Sequence, residues 1–158
     1  MIDSERCEEL IQLLREKGLK IAAAESCTGG AFMSALVKVP GASETVVGGV
    51  VAYSEDAKIE FLGVRRNYIE EFGAVSREVA IEMAKNVKRK LGADIGIGIT
   101  GYAGPGNERD GEVCFAIANE DGVFSVPKKF EWMVREEVID ASVAYLVEIL
   151  VEMLEAVM

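Results

Sequence analysis

The stretch "KIAAAESCTGGAFMSALVK", residues 20–38, decides the fold. Its opening, "KIAAA" (20–24), is a short apolar run that reads as a buried strand, and "GGAFMSALVK" (29–38) reads as a helix that stops before Pro40-Gly41. Between them lie Glu25, Ser26, Cys27 and Thr28. A strand that turns directly into a helix is the repeating unit of an α/β fold, and open α/β sheets bind ligands in the loops after their strands. Fold and function therefore meet in this turn.

On the N-terminal side, Ser4 is placed to cap a helix whose first turns carry Glu5, Glu8 and Glu9. Cys7, Leu10, Ile11 and Leu14 follow at i, i+3, i+4, i+7, and Gly18 ends the helix. On the C-terminal side, "TVVGGVVAYS" (45–54) is strongly β-prone and "EDAKIEFLG" (55–63) suits a short helix closed by Gly63. Ser76 caps the next helix, in which Val79, Met83, Ala84 and Val87 share a face and "KRK" complements the C-terminal dipole.

"DIGIGIT" (94–100) reads as a buried strand leading into the loop "GYAGPGNERDG" (101–111). Strands at about 112–119 and 123–130 are joined by the Asp121-Gly122 turn, and a last helix runs from about Val134 to the end. That helix carries Val138, Ala141, Tyr145 and Leu146 on one face, with Met153 and Val157 further along. The expected fold is a single-domain α/β/α sandwich around a mixed, largely parallel sheet with a late β-hairpin, residues 1–158 forming one domain.

Composition narrows the function. A chain of 158 residues buries roughly 70% of its unfolded surface, enough for a proper core. No stretch approaches the ~18 uninterrupted apolar residues of a membrane helix, and the acidic start "MIDSERCEE" lacks a signal peptide's basic region, so a cytoplasmic protein with no membrane partner is expected. The net charge of -10 opposes counterion release, which argues against a nucleic-acid partner but leaves small anionic ligands open. Three well-separated cysteines and no histidine indicate neither a disulfide framework nor a common metal site, so no metal and no cofactor are expected. A homo-oligomer is expected on general grounds, two-fold symmetry being the commonest.

Ser26 stands where a nucleophile could stand, and the lack of histidine removes its usual base. The turn Thr28-Gly29-Gly30 has two readings: oriented N–H groups around an anion, or a plain helix cap made by Ser26 or Thr28. "GITGYAGPG" (98–106) is a second glycine-rich turn after a strand, in which Thr100, Gly101 and Gly104 could shape a ligand loop or simply a turn. It matches neither a Walker A loop nor a dinucleotide fingerprint. Lysine and tyrosine are the bases that known chemistry offers a serine without histidine, and "AYSEDAK" supplies Tyr53 and Lys58 at a strand end.

"AAAESCTGG", "VAYSEDAK" with the following "FLGV", "GAVSREVA" and "TGYAGPG", in this order, closely resemble the CinA C-terminal domain family. The resemblance implies hydrolysis of the amide of nicotinamide mononucleotide, giving nicotinic acid mononucleotide and ammonia. It places the family's serine on Ser26, its tyrosine on Tyr53 and its lysine on Lys58. Lys58 would take the serine proton, directly or relayed through Tyr53, N–H groups around Thr28 and Gly29 would hold the oxyanion, and the loop from Thr100 to Gly106 would shape the nucleotide site. Arg135 matches the first arginine of a family motif.

The chain departs from the family pattern at Glu55 (usually Asn), Asn107 (Gly), Glu112 (Thr) and Ile139 (Arg). Glu55, three positions before Lys58 on the expected helix, is placed to form an ion pair that would favour protonated lysine. Three alternatives accompany the amidase reading: a catalytically weak or inactive nucleotide-binding relative, Cys27 as the nucleophile, and an assembly domain that uses the apolar stripe of the last helix.

Overall fold

The structure, a computed structural model, describes residues 2–156. Five strands form one sheet in the order β2-β1-β3-β4-β5: β1 (Ile21–Glu25), β2 (Val46–Val51), β3 (Ile95–Gly101), β4 (Glu112–Asn119) and β5 (Gly122–Lys129). β2, β1 and β3 run parallel, whereas β3–β4 and β4–β5 are antiparallel. The mixed sheet and late hairpin are as expected, and parallel and antiparallel pairings are equal in number.

Helices α1 (Ser4–Lys17), α2 (Ala31–Val37) and α6 (Arg135–Ala156) cover one face, with α3 (Glu55–Leu62), α4 (Arg66–Phe72) and α5 (Arg77–Leu91) on the other. β3 explains how one short strand serves both layers. Ile95, Ile97 and Ile99 enter the core shared with α1 and α6, while Gly96 and Gly98 alternate toward α5. A Cβ on either glycine would lie 2.2 Å from a carbonyl oxygen of α5, that of Ala84 or Ala80. The "IGIGI" pattern (95–99) thus lets α5 lie directly on the backbone of β3.

α6 sets Val138, Leu146 and Leu150 in the core and Ala141, Tyr145 and Met153 against it, so the stripe packs on the sheet. The expected continuation over Val157 and Met158 lies outside the described residues. At the start of the chain the cap is Asp3, whose carboxylate accepts the N–H groups of Glu5 and Arg6, and Ser4 is the first helical residue instead of the cap. A charged acceptor one residue earlier takes precedence over the hydroxyl. α4 and a short 3-10 turn at Ala42–Glu44 carry no strong periodic signal and were not anticipated. Among the described residues no helix is long and apolar enough to cross a membrane.

Candidate active site

The C-terminal ends of the three parallel strands converge. Ser26 follows β1 and remains tied to the sheet, its N–H donating to the carbonyl of Ile99 on β3. Ala52, just after β2, donates its N–H to the carbonyl of Glu25. Ser54 then caps α3 by accepting the Ala57 N–H, and this sets the phase of the helix so that Lys58 turns inward.

Lys58 is only 2% exposed. Its Nζ lies 2.8 Å from Ser26 Oγ, 3.0 Å from the Ala52 carbonyl oxygen and 3.2 Å from that of Tyr53. Burial holds the Lys58 pKa below the ordinary lysine range, opposed by the neighbouring Cys27 and, last, by Glu55. As an ammonium Lys58 would donate to all three oxygens; in its neutral form it would donate its two N–H groups to the two carbonyls and present its lone pair to the Ser26 hydroxyl.

Glu25 reorganises the expected anion cradle. Its carboxylate, 0% exposed, accepts the Thr28 hydroxyl at 2.6 Å and the N–H groups of Gly30, Phe32 and Met33 at 3.1, 3.1 and 2.9 Å. Neither the Ser26 nor the Thr28 hydroxyl caps α2. Gly29 also spends its N–H, on the Ser26 carbonyl. Among the described residues no carbonyl in this network accepts the N–H of Cys27 or Thr28, and that of Cys27 is directed to its own Sγ. Gly30, at φ 101°, adopts the left-handed backbone that brings the chain round onto the carboxylate.

Tyr53 differs from its expected role. Its ring is 59% exposed and its hydroxyl accepts from Arg135 at 2.8 Å, so it is the main-chain carbonyl that meets Lys58. A phenol relay between Ser26 and Lys58 has no place when those atoms already touch. Arg135 also donates to the Gly104 carbonyl at 2.6 Å, bridging the two sides of the cleft. Thr100 is turned away, its hydroxyl donating to the Ala74 carbonyl, and Gly101 lies so close to Glu112 and Val113 that a Cβ would meet the Glu112 carbonyl oxygen at 2.8 Å. The loop beyond is braced by Asp110, which accepts the N–H groups of Gly106 and Asn107 and packs under Gly104.

Together these elements enclose an open cleft of about 580 Å³ with Ser26 and Lys58 on one side and residues 100–107, Asp110 and Arg135 on the other. Of the expected site residues, Thr28, Gly29 and Gly30 belong to the turn under Ser26 and do not line the cleft. Cys27 does line it, but burial pushes its thiol up to about 12 despite the nearby Lys58, and a neutral thiol is a poor nucleophile. Each departure from the family pattern has a local role. Glu55 is exposed on the first turn of α3, Asn107 braces the loop, Glu112 pairs with Arg109, and Ile139 packs against the core.

The model of the CinA C-terminal domain matches residues 3–154. This chain belongs to the CinA C-terminal domain family. A CinA-like protein of Fervidobacterium nodosum is 42% identical over 127 residues, covering 78% of this chain and 31% of that protein. A CinA-like protein of Chlorobium limicola is 47% identical over 117 residues, 72% of this chain and 27% of that one. The chain therefore spans less than a third of the curated relatives it matches.

Solved structures align over nearly the whole domain. A competence or damage-inducible protein from Enterobacter asburiae superposes with a TM-score of 0.93 at 34% identity, covering 98% of this chain and 99% of that one. A CinA superfamily protein from Escherichia coli gives 0.89 at 32% identity, with coverages of 97% and 93%.

The feature that sequence reading missed is Glu25. A single carboxylate at the end of an otherwise apolar strand was the available signal. Its partners lie three to eight residues ahead and come together only when the turn closes.

Proposed function

We propose that this domain hydrolyses the amide of nicotinamide mononucleotide to nicotinic acid mononucleotide and ammonia, with Ser26 as nucleophile and Lys58 as base. The observation that carries the reading is the buried contact of Lys58 Nζ with Ser26 Oγ at 2.8 Å, in a chain that contains no histidine. Ser26 Oγ adds to the amide carbon while its proton passes to the Lys58 amine. Of the backbone donors beside Ser26, the N–H of Cys27 is on a residue that lines the cleft, and we assign it to the oxyanion. The Lys58 ammonium gives its proton to the departing NH₂ group as the tetrahedral intermediate collapses, so that ammonia leaves and Lys58 is neutral again. Water then attacks the Ser26 ester with Lys58 again as base, releasing the acid and restoring the hydroxyl. Arg135, at the cleft mouth, supplies a guanidinium suited to the phosphate.

The test is ammonia release from the mononucleotide. Wild-type protein should turn over and Ser26→Ala should fall to background, whereas normal turnover by Ser26→Ala would overturn the serine mechanism. A second reading, a nucleotide-binding relative without catalysis, is favoured by Glu112: it engages Arg109, which also donates to the Val75 carbonyl, and so commits a cation beside the cleft. Calorimetric binding of the nucleotide without ammonia release would favour that reading.

A further inference from the structure

Trp132 is the chain's single tryptophan, it is 99% exposed, and Met133 and Val134 beside it are 42% and 67% exposed. Three consecutive exposed apolar residues are unusual on a folded surface and point to something they contact. Trp132 also holds φ at 62°, in the left-handed region that bulky residues rarely adopt. Backbone held in this way persists where the surroundings impose it, and such positions cluster at ligand sites.

Residues 131–134 do not themselves line the cleft, but Arg135, three positions after Trp132, does. Before the tryptophan, the Phe130 N–H donates to the Gly111 carbonyl, and after it the Arg135 guanidinium donates to the Gly104 carbonyl. Both flanks of residues 131–134 are thus pinned along the glycine-rich loop, on the rim that Arg135 shares with the cleft. Val134 donates its N–H to the Glu137 carboxylate, which fixes where α6 begins and leaves the indole at the end of a short, anchored loop. A rotamer change of one side chain is enough to lower an exposed indole at a rim. Tyr53 and Tyr102 are among the residues that line the cleft.

We propose that Trp132 is a ligand-contacting residue of this cleft, its indole closing over a planar aromatic ring held against the Arg135 side. The proposal rests on the nucleotide reading for its choice of ligand, a nucleotide with a flat heteroaromatic base. An indole face attracts such a ring, and more so a cationic pyridinium.

Because no other tryptophan is present, intrinsic fluorescence reports this residue alone. Ser26→Ala protein, which holds substrate without consuming it, is titrated with nicotinamide mononucleotide by calorimetry and by tryptophan emission, with acrylamide quenching at each end. The expected result is saturable quenching of emission at the calorimetric midpoint and reduced access to acrylamide. Affinity should be retained in Trp132→Phe and weakened about 5- to 150-fold in Trp132→Ala, the range for loss of one base–aromatic stack. Calorimetric binding with unmoved emission and unchanged affinity in Trp132→Ala would overturn the assignment while leaving the nucleotide reading intact. Absence of calorimetric binding would reject the nucleotide reading itself and this ligand with it. An emission shift that follows protein concentration instead of nucleotide would assign Trp132 to contact between copies and overturn the proposal.

Discussion

The two walls of the cleft are built on opposite plans. On the wall formed by the ends of β1 and β2, side chains do the work from buried positions: Glu25 is 0% exposed, Lys58 2% and Ser26 6%. Each is held by several bonds within the turn, and none can move without breaking another. On the facing wall the backbone does the shaping, through residues 100–107 and Asp110, while Arg135 reaches out from an exposed position to the Tyr53 hydroxyl on the first wall. Three of the four departures from the family pattern, Glu55, Asn107 and Glu112, lie at or near the cleft and leave the buried bonds untouched. On the proposed function, the difference assigns chemistry to the first wall and ligand choice to the second. Substitutions on the first wall should strike kcat or folding, and those on the second should strike KM.

Lys58→Met breaks the comparison most severely. It keeps the length of the side chain but removes the amine, so kcat/KM should fall roughly 10²–10⁴-fold, the contribution of a positioned general base, with the far-ultraviolet spectrum unchanged. The same variant sharpens the electrostatics. The folded pKa of Lys58 lies below its unfolded value of ~10.4, so between the two the unfolded chain binds more protons and stability rises with pH. Wild-type stability, measured by urea unfolding, should therefore gain on Lys58→Met as pH rises through that window. A constant difference would argue against a depressed pKa.

Glu25→Gln comes next. The amide can accept some of the four bonds, but its NH₂ opposes N–H donors where the carboxylate opposed none, and the charge is lost. A loss of about 1.5–3 kcal/mol is expected for bonds to a charged acceptor. At about 2–4 °C per kcal/mol for a domain of this size, that lowers Tm by several degrees. Calorimetric scanning checks this; an unchanged Tm would mean that the turn holds without its carboxylate.

Tyr53→Phe should be milder. Its hydroxyl meets Arg135 and not Ser26, so KM should rise a few-fold while kcat holds. A large fall in kcat would restore the phenol relay. Glu55→Asn should have the smallest effect. The structure turns Lys58 inward, away from the expected i,i+3 ion pair, and leaves Glu55 exposed. Glu55 still raises the Lys58 pKa, as the last of its causes. Its removal should lower the pKa in the pH dependence of kcat/KM only slightly, in keeping with the weak coupling of exposed pairs.

The buried wall was legible where sequence periodicity speaks. The apolar run before Ser26 announced a strand, Gly63 marked the end of α3, and family resemblance paired Ser26 with Lys58. What could not be read is set by three-dimensional closure. Glu25 looked like the polar start of a loop, because nothing in its immediate neighbours shows that Gly30, Phe32 and Met33 fold back over it. Tyr53 was expected to act through its phenol, whereas main-chain direction at a strand end turned its carbonyl, and not its ring, toward Lys58. On the facing wall, "EWMVREEVI" gave Arg135 through resemblance, but the exposure of Trp132 depends on how tightly its loop is pinned.

The central claim is that burial makes Lys58 a base for Ser26, and the pH titration of its side chain by NMR, using carbon-labelled lysine and the Lys58→Met spectrum for assignment, tests it most directly. The account predicts a resonance that titrates below the ordinary lysine value of ~10.4, at the same pH as the rise in kcat/KM. A Lys58 that titrates at or above that value, while ammonia release proceeds at neutral pH, would contradict it.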